Sequence, residues 1–411
     1  MISIFRKQKE IDLEKYFVVT YFLGAKTSLR EAAWNLAIGQ SIGNPNNRSV
    51  WETEEMFENH SCFIMHDEEE LKNLKEGEIK IAFPLDNLDL EEDGISQILC
   101  HIAGGQVDIL EIEKCHILDV TLPKIIEEIF ALKPAYGIDG FRKFNGVDGK
   151  PFLGGIIKPK VGMSPAVLLE AVKEMVSGGV NFIKEDELLA NPSHCPLEER
   201  VPLITSWLKE NAPDVIYAFC INGDSPYALE RAKFVSENGG NAIHINVWSG
   251  LGVYRAIRKQ NPCLWIHFQK SGDKFFTDRR APFHIYWPLI CKIAGWSGVD
   301  SIHAGMIGGY MNQDEKELAD CLSMLWHYNI VPALSCGMHP GLVDFINKQL
   351  NSVDWMANVG GAMHGHPSGT KAGGLAMKQA INGEVQSEEY LQAIEKWGIK
   401  SFPEDLAYRI F

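Results

Sequence analysis

Several features that mark secreted, membrane-spanning or zinc-binding proteins are missing from this sequence. Its nine cysteines are an odd number, and no two of them are spaced as C-x-x-C, which argues against a disulfide framework and against a structural zinc site. No run of about 18 apolar residues occurs. Met1 to Lys15 alternates apolar and charged residues and has no apolar signal-peptide core. We therefore expect a reduced, soluble, cytoplasmic protein.

Positively charged residues are also in the minority. The 411 residues include 39 Lys and Arg against 54 Asp and Glu, which gives a formal net charge of -15. A surface with this balance repels phosphate backbones and anionic lipid, so we expect neither nucleic acid nor a membrane as partner. Hydrophobic residues make up 45% of the chain and charged residues 23%, as in ordinary globular proteins, and the length predicts two or three domains.

The first third of the chain mixes strand and helix patterns. Tyr16 to Gly24, Glu78 to Phe83 and Val107 to Ile112 are short apolar or alternating runs that predict strands, whereas Ser28 to Ile38 has helical spacing. This mixture predicts a small N-terminal α+β domain over residues 1–130. We expect residues 131–411 to form a second domain that carries the catalytic site.

From about residue 154 a regular alternation begins, in which short apolar runs are mostly followed by amphipathic stretches of helical length. Eight repeats over about 250 residues match the size and period of a (β/α)8 TIM barrel, an α/β fold. A doubly wound open sheet is the alternative, but no G-x-G-x-x-G follows the first run. The eight predicted strands are Gly154 to Lys160, Phe182 to Glu187, Ile216 to Asn222, Ala242 to Val247, Leu264 to Gln269, Ser301 to Gly305, Val331 to Gly337 and Trp355 to Gly361.

Charged residues cluster where the first two predicted barrel strands end, and barrel enzymes place their active sites at such ends. Period-two alternation puts Lys184 and Asp186 on one face of the second strand. Neighbouring carboxylates suit Mg²⁺, and carbamylation would turn Lys184 from a repelling cation into a third oxygen ligand. The alternative is a structural ion pair of Lys184 with Asp186 or Glu185. The clustered residues are Lys158 and Lys160 on the first strand, and Lys184, Asp186 and Glu187 on the second.

Two histidines, His267 and His303, take equivalent positions at the ends of the fifth and sixth predicted strands. Because adjacent strand ends meet at one edge of a barrel, we expect both imidazoles to face the site. His244, His284 and His327 have no such company, and we interpret them as structural residues.

Small residues end the seventh and eighth predicted strands: Ser335 and Gly337 on the seventh, and Gly360 and Gly361 on the eighth. Barrel enzymes commonly hold a substrate phosphate on backbone amides at these two loops. Ordinary turn glycines are the alternative interpretation. The segment GAMHGHPSGTKAGG from Gly361 is rich in glycine and small polar residues, and this composition favours anion binding.

Taken in order, these motifs resemble those of the large subunit of ribulose bisphosphate carboxylase, over nearly the whole chain from about Leu13 to Ile381. The resemblance implies a ferredoxin-like N-terminal α+β domain, a C-terminal (β/α)8 barrel, and a homodimer in which the N-terminal domain of one subunit caps the barrel of the other. The matching segments are GGIIKPKVGMSP from Gly154, GGVNFIKEDE from Gly178, LWIHF from Leu264, SIHAG from Ser301, VPALSCGMHPG from Val331 and GGAMHGHP from Gly360.

The resemblance also implies roles for the candidate residues. Lys184 matches the carbamylated lysine of the family, and Asp186 and Glu187 match its magnesium ligands. Lys158 matches the lysine that moves a proton to and from the enolate, and Lys160 is its companion. The residues that match positions lining the substrate or holding its hydroxyl and phosphate groups are His267, His303, Ser335, Gly337, Gly360 and Gly361.

Four positions depart from the carboxylases of the family. Tyr310 stands where loop six carries a lysine that reaches over the bound carbon dioxide, and a neutral phenol cannot replace that cation. Phe268 stands where an arginine holds the second phosphate. In the N-terminal domain, Gln40 replaces a glutamate and Asp119 an asparagine. Since gas handling and bisphosphate binding are lost and the metal and enolisation residues are kept, the chain resembles the RuBisCO-like proteins (form IV).

This resemblance predicts an Mg²⁺-dependent enzyme that forms an enolate from a monophosphorylated keto-sugar or keto-sugar acid, as an enolase, an isomerase or a decarboxylase. Lys158 is the first candidate for the acid or base, and His116 is the second. Three alternatives stay open: a true carboxylase, a Schiff-base aldolase that uses Lys158 or Lys184, and a catalytically silent binding or regulatory protein on the same scaffold.

Overall fold

A computed structural model describes residues 3–44, 47, 49–310 and 313–400 of the chain. Internal contacts divide the chain into two compact units. The first unit consists of Met1–Ala131 and Asp273–Trp296, and the second of Leu132–Gly272 and Ser297–Phe411. The sequence suggested a single boundary near residue 130. The return of Asp273–Trp296 to the first unit was visible only as the longest interval between two predicted barrel strands.

The two units share the following elements in chain order. The strands are β1 (Tyr16–Ala25), β2 (Phe63–Ile64), β3 (Glu76–Pro84), β4 (Ile112–Thr121), β5 (Phe152–Ile156), β6 (Phe182–Lys184), β7 (Ile216–Cys220), β8 (Ala242–Asn246), β9 (Trp265–Gln269), β10 (Phe283–Ile285), β11 (Ser301–Gly305), β12 (Val331–Leu334) and β13 (Met356–Val359). The helices are α1 (Leu29–Gly39), α2 (Glu54–His60), α3 (Glu68–Leu71), α4 (Gly94–Ile102), α5 (Lys124–Phe130), α6 (Gly137–Asn145), α7 (Pro165–Ser177), α8 (Leu197–Asn211), α9 (Ser225–Glu237), α10 (Leu251–Gln260), α11 (Lys274–Thr277), α12 (Trp287–Trp296), α13 (Glu315–His327), α14 (Val343–Leu350), α15 (Gly361–His364), α16 (Thr370–Asn382) and α17 (Glu388–Trp397). No helix within the described residues is long and apolar enough to cross a membrane.

The first unit is built on a mixed five-stranded sheet in the order β10-β4-β1-β3-β2. In this sheet β1 is antiparallel to β3 and β4, and β10 runs parallel to β4. Alternate residues along most of β1 are buried, which is the period-two pattern of a strand with one face on a core. The strand predicted at Val107 to Ile112 is wrong: Gly105–Asp108 is a 3-10 turn, and β4 begins at Ile112. A short apolar run fits either structure.

The second unit is a closed barrel of eight parallel strands in the order β11-β12-β13-β5-β6-β7-β8-β9. Each of the eight predicted runs overlaps one of these strands, which confirms the (β/α)8 fold. Three strands end earlier than predicted: β5 at Ile156, β6 at Lys184 and β12 at Leu334. Most of the polar residues predicted at strand ends therefore lie in the first turn of the following loops.

Apolar side chains fill the barrel at the amino-terminal ends of its strands. Phe152 of β5, Phe182 of β6 and Trp265 of β9 meet there, all fully buried. Phe141 of α6 lies against them, with its ring 4.4 Å from that of Phe152 and 4.6 Å from that of Trp265. Since this end is densely packed, a cavity can open only at the carboxyl ends of the strands.

An ion pair is buried at the amino-terminal end of the barrel wall. Nη2 of Arg258, on α10, lies 2.5 Å from Oδ2 of Asp300, which precedes β11, and both side chains are buried. Asp300 also accepts hydrogen bonds from the backbone amides of Tyr136, Gly137 and Ile266. Because a buried charge is costly without a partner, this network holds that end of the barrel together.

Candidate active site at the mouth of the barrel

A cavity of about 680 Å³ opens at the carboxyl ends of the barrel strands, a size that suits a small-molecule ligand. The residues of the sequence prediction that line it are Lys158, Lys160, Lys184, Glu187, His303, Ser335, Gly337, Gly360 and Gly361. Lining residues that were not assigned to the site are Ile156, Gln269, Ser271, Gly308, Gly309, Cys336, Met338, His339, Asn358, Ala362 and Trp397. Tyr310 lines the cavity as well.

Four charged side chains meet at the floor of this cavity. Lys184 and Asp186 are 2% and 1% exposed. Nζ of Lys184 lies 3.6 Å from Oε2 of Glu187 and donates a hydrogen bond to the carbonyl of Glu185 at 3.1 Å. Nζ of Lys158 lies 2.5 Å from Oδ2 of Asp186. The structure therefore brings together two lysines and two carboxylates, with Asp186 paired to Lys158 instead of Lys184.

The buried position of Lys184 changes its acid–base behaviour. Burial lowers the pKa of Lys184, and the carboxylates of Glu187 and Asp186 offset this effect only in part. A lower pKa increases the fraction of neutral amine at a given pH. The neutral amine is the nucleophilic form of a lysine, so this side chain is suited to reaction with an electrophile such as carbon dioxide.

Glu187 is held in place by neighbours that were not assigned to the site. Oγ of Ser271 donates to Oε1 of Glu187 at 2.8 Å and accepts from Nε2 of Gln269 at 2.6 Å. Nδ2 of Asn222 donates to the Glu187 carbonyl at 2.7 Å. The parity of the fifth barrel strand carried a signal for Gln269, since a side chain two residues beyond His267 points to the same face.

His303 is buried beside Ser335, and Nε2 of the imidazole lies 2.6 Å from Oγ of Ser335. Burial, together with the positive charges of Lys270 and Lys184, lowers the pKa of His303 to about 3. The imidazole is therefore neutral at physiological pH. Its ring can exchange hydrogen bonds with Ser335 and with a ligand, but it is not a standing positive charge for a phosphate.

We expect this histidine to make stability pH-dependent. A histidine whose folded pKa lies below the unfolded value of about 6.5 is protonated first in the unfolded chain, so the free energy of unfolding falls as the pH drops from about 6.5 towards 3. Between pH 7.5 and pH 5 the loss from His303 is up to about 2 kcal/mol. Urea unfolding at both pH values should show a smaller loss for His303→Gln, and equal losses in both proteins would contradict the assignment.

His267 lies below the cavity, and its predicted place at the mouth is corrected by the strand register. His267 of β9 pairs with Ser301 of β11, so it lies two positions below the level of His303. The side chain is fully buried, and its Nδ1 lies 2.8 Å from Oγ of Ser301. Gln269, two residues on, takes the lining position instead. His267 is therefore placed to support the floor of the site and not to touch a ligand.

The glycines at the ends of β12 and β13 border the cavity on the side of Lys158. A side chain at Gly360 would approach Cε of Lys158 to 3.3 Å, and one at Gly337 would approach the backbone nitrogen of Tyr310 to 2.9 Å. Gly337 also has a φ of 99°, which only glycine adopts readily. The absence of side chains here leaves room for a ligand beside the Lys158 ammonium.

Cys336, between Ser335 and Gly337, has a strained backbone. Its φ is 73°, in the left-handed region that non-glycine residues rarely adopt. Its Sγ lies 3.8 Å from both Oγ of Ser335 and Nε2 of His303. A residue kept in such a conformation at a cavity wall is a mark of a functional site.

Two substitutions separate this strain from the thiol contacts. Cys336→Ala and Cys336→Gly both remove the sulfur, but only glycine relieves the positive φ. We expect the glycine variant to be more stable than the alanine variant by about 1 kcal/mol in urea unfolding, because a left-handed non-glycine residue costs about 1–2 kcal/mol. Equal stabilities would show that the backbone at this position carries no strain.

The two departures from the carboxylase pattern in the barrel have different settings. Tyr310 stands at the rim of the cavity, 81% exposed, and its backbone nitrogen donates to the carbonyl of Cys336 at 3.3 Å. Phe268 is fully buried and stacks on Tyr254, with ring centroids 4.3 Å apart. Phe268 does not line the cavity, so its ring fills the barrel wall and leaves no charged group at that position.

The first unit holds the remaining candidates. His116 stacks on His284 at 3.9 Å between ring centroids, and burial together with His284 lowers the pKa of His116 to about 4. His284, interpreted from the sequence as structural, is thus the neighbour of this second acid–base candidate. Nε2 of Gln40 donates to the carbonyls of Cys100 and His101 at 3.0 and 2.7 Å. Asp119 contacts Nζ of Lys292 at 2.6 Å, so this carboxylate is already engaged.

The donor set on β6 fits a magnesium ion. No group of three or more His, Cys, Asp and Glu side chains gathers as a metal site in the part of the chain that the structure describes. What the floor offers is the two carboxylates of Asp186 and Glu187 beside the buried Lys184. Mg²⁺ usually binds one or two carboxylates and takes its other oxygens from water and substrate. Lys184, if carbamylated, would add one more oxygen.

Comparison with known proteins assigns the chain to a family. Residues 137–404 match the family model for the ribulose bisphosphate carboxylase large chain, catalytic domain, and residues 7–126 match that for its N-terminal domain. The chain is 31% identical to the ribulose bisphosphate carboxylase of Pyrococcus furiosus over 414 residues, covering 94% of each chain. It is 30% identical to the 3-oxo-isoapionate-4-phosphate decarboxylase of Rhizobium rhizogenes over 339 residues, covering 76% of each.

A further relative carries out enolisation. The 2,3-diketo-5-methylthiopentyl-1-phosphate enolase of Geobacillus kaustophilus is 26% identical over 418 residues, covering 93% of this chain and 98% of that one. Among solved structures, octameric ribulose-1,5-bisphosphate carboxylase/oxygenase from Pyrococcus horikoshii superposes with a TM-score of 0.84 at 26% identity, over 95% of each chain. With both halves of the chain matched, the protein belongs to the ribulose bisphosphate carboxylase large-chain family, which includes carboxylases, an enolase and a decarboxylase.

Proposed function

We propose that the chain is a RuBisCO-like enzyme that does not fix carbon dioxide. In this proposal it is Mg²⁺-dependent and forms an enolate from a monophosphorylated keto-sugar or keto-sugar acid, as a lyase or an isomerase. The observation that carries the proposal is the composition of one cavity. Its floor keeps Lys158, Lys184 and the carboxylates beside them, while Tyr310 stands at the rim in place of the loop-six lysine of the carboxylases.

The charges of the cavity support this division. Lysine and carboxylate side chains at the floor suit a reaction that creates negative charge on oxygen. At the rim, the phenol of Tyr310 is neutral at physiological pH, because burial raises its pKa above the ordinary value. A carboxylation step that needs a cation at the rim has no such group there, and the buried Phe268 supplies no second phosphate ligand.

The proposed chemistry divides between the ion and the side chains. When bound by Asp186, Glu187 and carbamylated Lys184, Mg²⁺ would supply the positive charge that stabilises negative charge on the keto and hydroxyl oxygens of the substrate. Nζ of Lys158 is placed at the same floor to take a proton from the carbon next to the keto group and to return one. The backbone at Gly337, Gly360 and Gly361 would hold the phosphate.

Two outcomes share this first step. If the substrate has a hydrogen next to its keto group, Lys158 removes that proton, and reprotonation at a neighbouring atom gives the enol or the isomer. If the substrate carries a carboxylate there, carbon dioxide leaves with its bonding electrons remaining on carbon, and Lys158 supplies the proton that replaces it. The decarboxylase and the enolase among the relatives give each outcome a counterpart in the family.

Isotope exchange tests the proposal without knowledge of the natural substrate. The purified protein is incubated in deuterium oxide with a panel of monophosphorylated keto-sugars and keto-sugar acids, with and without Mg²⁺ and bicarbonate. We expect deuterium incorporation or carbon dioxide release for at least one compound, and only when both additions are present. Silence across a panel that includes substrates of both named relatives would favour the binding-protein alternative, and trapping by borohydride would favour the Schiff-base aldolase.

We also propose a cytoplasmic homodimer as the working form. Support comes from the resemblance to oligomeric relatives, of which the Pyrococcus horikoshii enzyme is octameric. Light scattering coupled to size-exclusion chromatography measures the mass directly, and an elution mass near the 46.0 kDa of one chain would contradict the proposal.

A further inference from the structure

The segment that carries the proposed metal ligands is fixed from behind by a second ion pair. Glu185 lies between Lys184 and Asp186 and, by the alternation of β6, faces away from the cavity. Nε of Arg200 donates to Oε1 of Glu185 at 2.8 Å, and Nη2 donates to Oε2 at 3.0 Å. Both side chains are fully buried, with 0% exposure each. This is a bidentate pair, the geometry that restricts a carboxylate most strongly.

Two further donors complete the surroundings of the Glu185 carboxylate. The backbone nitrogen of Cys220 donates to Oε2 at 2.7 Å, and Oη of Tyr217 donates to Oε1 at 3.2 Å. Four hydrogen bonds from α8 and β7 thus converge on one carboxylate. Because Glu185 is joined through its backbone to a ligand candidate on each side, any movement of its side chain shifts Lys184 and Asp186 as well.

Arg200 also holds the far end of the same loop. Its Nη1 donates to the carbonyl of Cys195, and its Nη2 to the carbonyl of Ala190. Ala190 has a φ of 39°, a left-handed conformation that alanine adopts only when its surroundings impose it. One guanidinium therefore connects the start of the loop at Glu185 with its return towards α8, and the carboxylates of Asp186 and Glu187 lie between these two attachments.

We infer that Arg200 and Glu185 are positioning residues for the magnesium site, and that Tyr217 supports them. They act through the backbone of the ligand segment and do not touch the substrate. This inference rests on the proposed function, since it needs a metal at Asp186 and Glu187. Groups that orient metal ligands from outside typically change metal affinity by about 10- to 100-fold when they are altered.

The barrel offers a matched control for a merely structural ion pair. Arg258 and Asp300 are also buried and bidentately surrounded, but they lie at the amino-terminal ends of the strands. Arg200→Lys and Arg258→Lys make the same change, which keeps the charge and removes the planar fork. We expect both variants to unfold at lower urea concentration than the parent. Only Arg200→Lys should bind Mg²⁺ about 10-fold or more weakly, in calorimetric titrations with bicarbonate present.

A gentler pair of variants keeps the test decisive if Arg200→Lys does not fold. Tyr217→Phe removes one hydrogen bond to Glu185, whereas Tyr254→Phe removes one from another buried tyrosine, whose Oη donates to the carbonyl of Ile245 at 2.7 Å. We expect Tyr217→Phe to weaken Mg²⁺ binding by about 3- to 10-fold, the range of a single hydrogen bond, and Tyr254→Phe to leave it unchanged.

The outcomes separate this inference from the proposed function. If the parent protein binds no Mg²⁺ in the presence of bicarbonate, the proposed function fails. If the parent binds Mg²⁺ and the Arg200 and Tyr217 variants bind it equally well, the proposed function stands and the positioning role is overturned. Equal losses in the Arg200 and Arg258 variants would also overturn it, because they would show a general effect of barrel stability.

Discussion

Lys158→Met is expected to reduce deuterium exchange into the substrate by about 10² to 10⁴, the usual contribution of a positioned acid or base. Methionine has a similar length and no titratable proton, so the cavity keeps its shape and loses the group that moves the proton. Mg²⁺ binding should persist in this variant. Asp186, which contacts Nζ of Lys158 at 2.5 Å, is released from that pair and stays available as a ligand.

Lys160→Met is the matched control for this prediction. Lys160 lines the same cavity two residues along the chain, but has no contact with Asp186 among those observed. We expect its loss to raise KM for a phosphorylated substrate while kcat changes little, because it removes a binding charge and not the proton carrier. Lys158→Met activity within a factor of about 3 of the parent would show that another group, such as His116, is the base.

The second large effect is expected at Lys184. Lys184→Met should abolish bicarbonate-dependent Mg²⁺ binding and, with it, all metal-dependent exchange, since methionine cannot form a carbamate. The same substitution should raise the free energy of unfolding by about 1–3 kcal/mol, because an ammonium group no longer has to be buried. Calorimetric titration with Mg²⁺ and urea unfolding measure the two effects on one preparation.

This opposite response of stability and binding distinguishes a functional lysine from a structural one. If Lys184 were the member of a structural ion pair with Glu187, its loss would destabilise the barrel and leave Mg²⁺ binding independent of bicarbonate. Lys158→Met serves as the control, because it removes a lysine from the same floor and should keep bicarbonate-dependent binding. A Lys184→Met protein that still binds Mg²⁺ tightly would contradict the carbamate assignment.

The barrel could be predicted from the sequence because its signal repeats. Eight apolar runs separated by helical stretches leave few other arrangements, and the charged residues after the runs then had to meet at one end. Alternation within one strand also placed Lys184 and Asp186 on one face and Glu185 on the other. Each of these inferences depends on residues close together in the chain.

What could not be predicted depends on relations between distant residues. Equivalent positions for His267 and His303 require a register between two strands, and a sequence does not state that register; the observed pairing of His267 with Ser301 lowers it by two positions. Phe268 looked like a lost phosphate ligand until Tyr254 was found stacked on it. Trp397 of α17 reaches the cavity from far along the chain, and no local pattern announced it.

The ion pair of Arg200 and Glu185 shows the same limit from another side. The string Lys184-Glu185-Asp186-Glu187 reads as a run of similar charged residues, and the sequence left open whether Lys184 pairs with Glu185. The fold assigns Glu185 to Arg200 on α8, outside the cavity, and leaves its two neighbours to face the floor. Only the packing of α8 against the barrel could reveal which carboxylate had a structural partner.

The central claim is that enolate chemistry is kept while carboxylation is lost. The most direct test is fixation of ¹⁴C-labelled carbon dioxide onto ribulose bisphosphate, measured with Mg²⁺ on a preparation that exchanges deuterium into a monophosphorylated keto compound. The account predicts no acid-stable label above that of a Lys184→Met control. Label incorporated at a rate comparable with the exchange reaction would contradict it, and would show that Tyr310 and Phe268 do not prevent carboxylation.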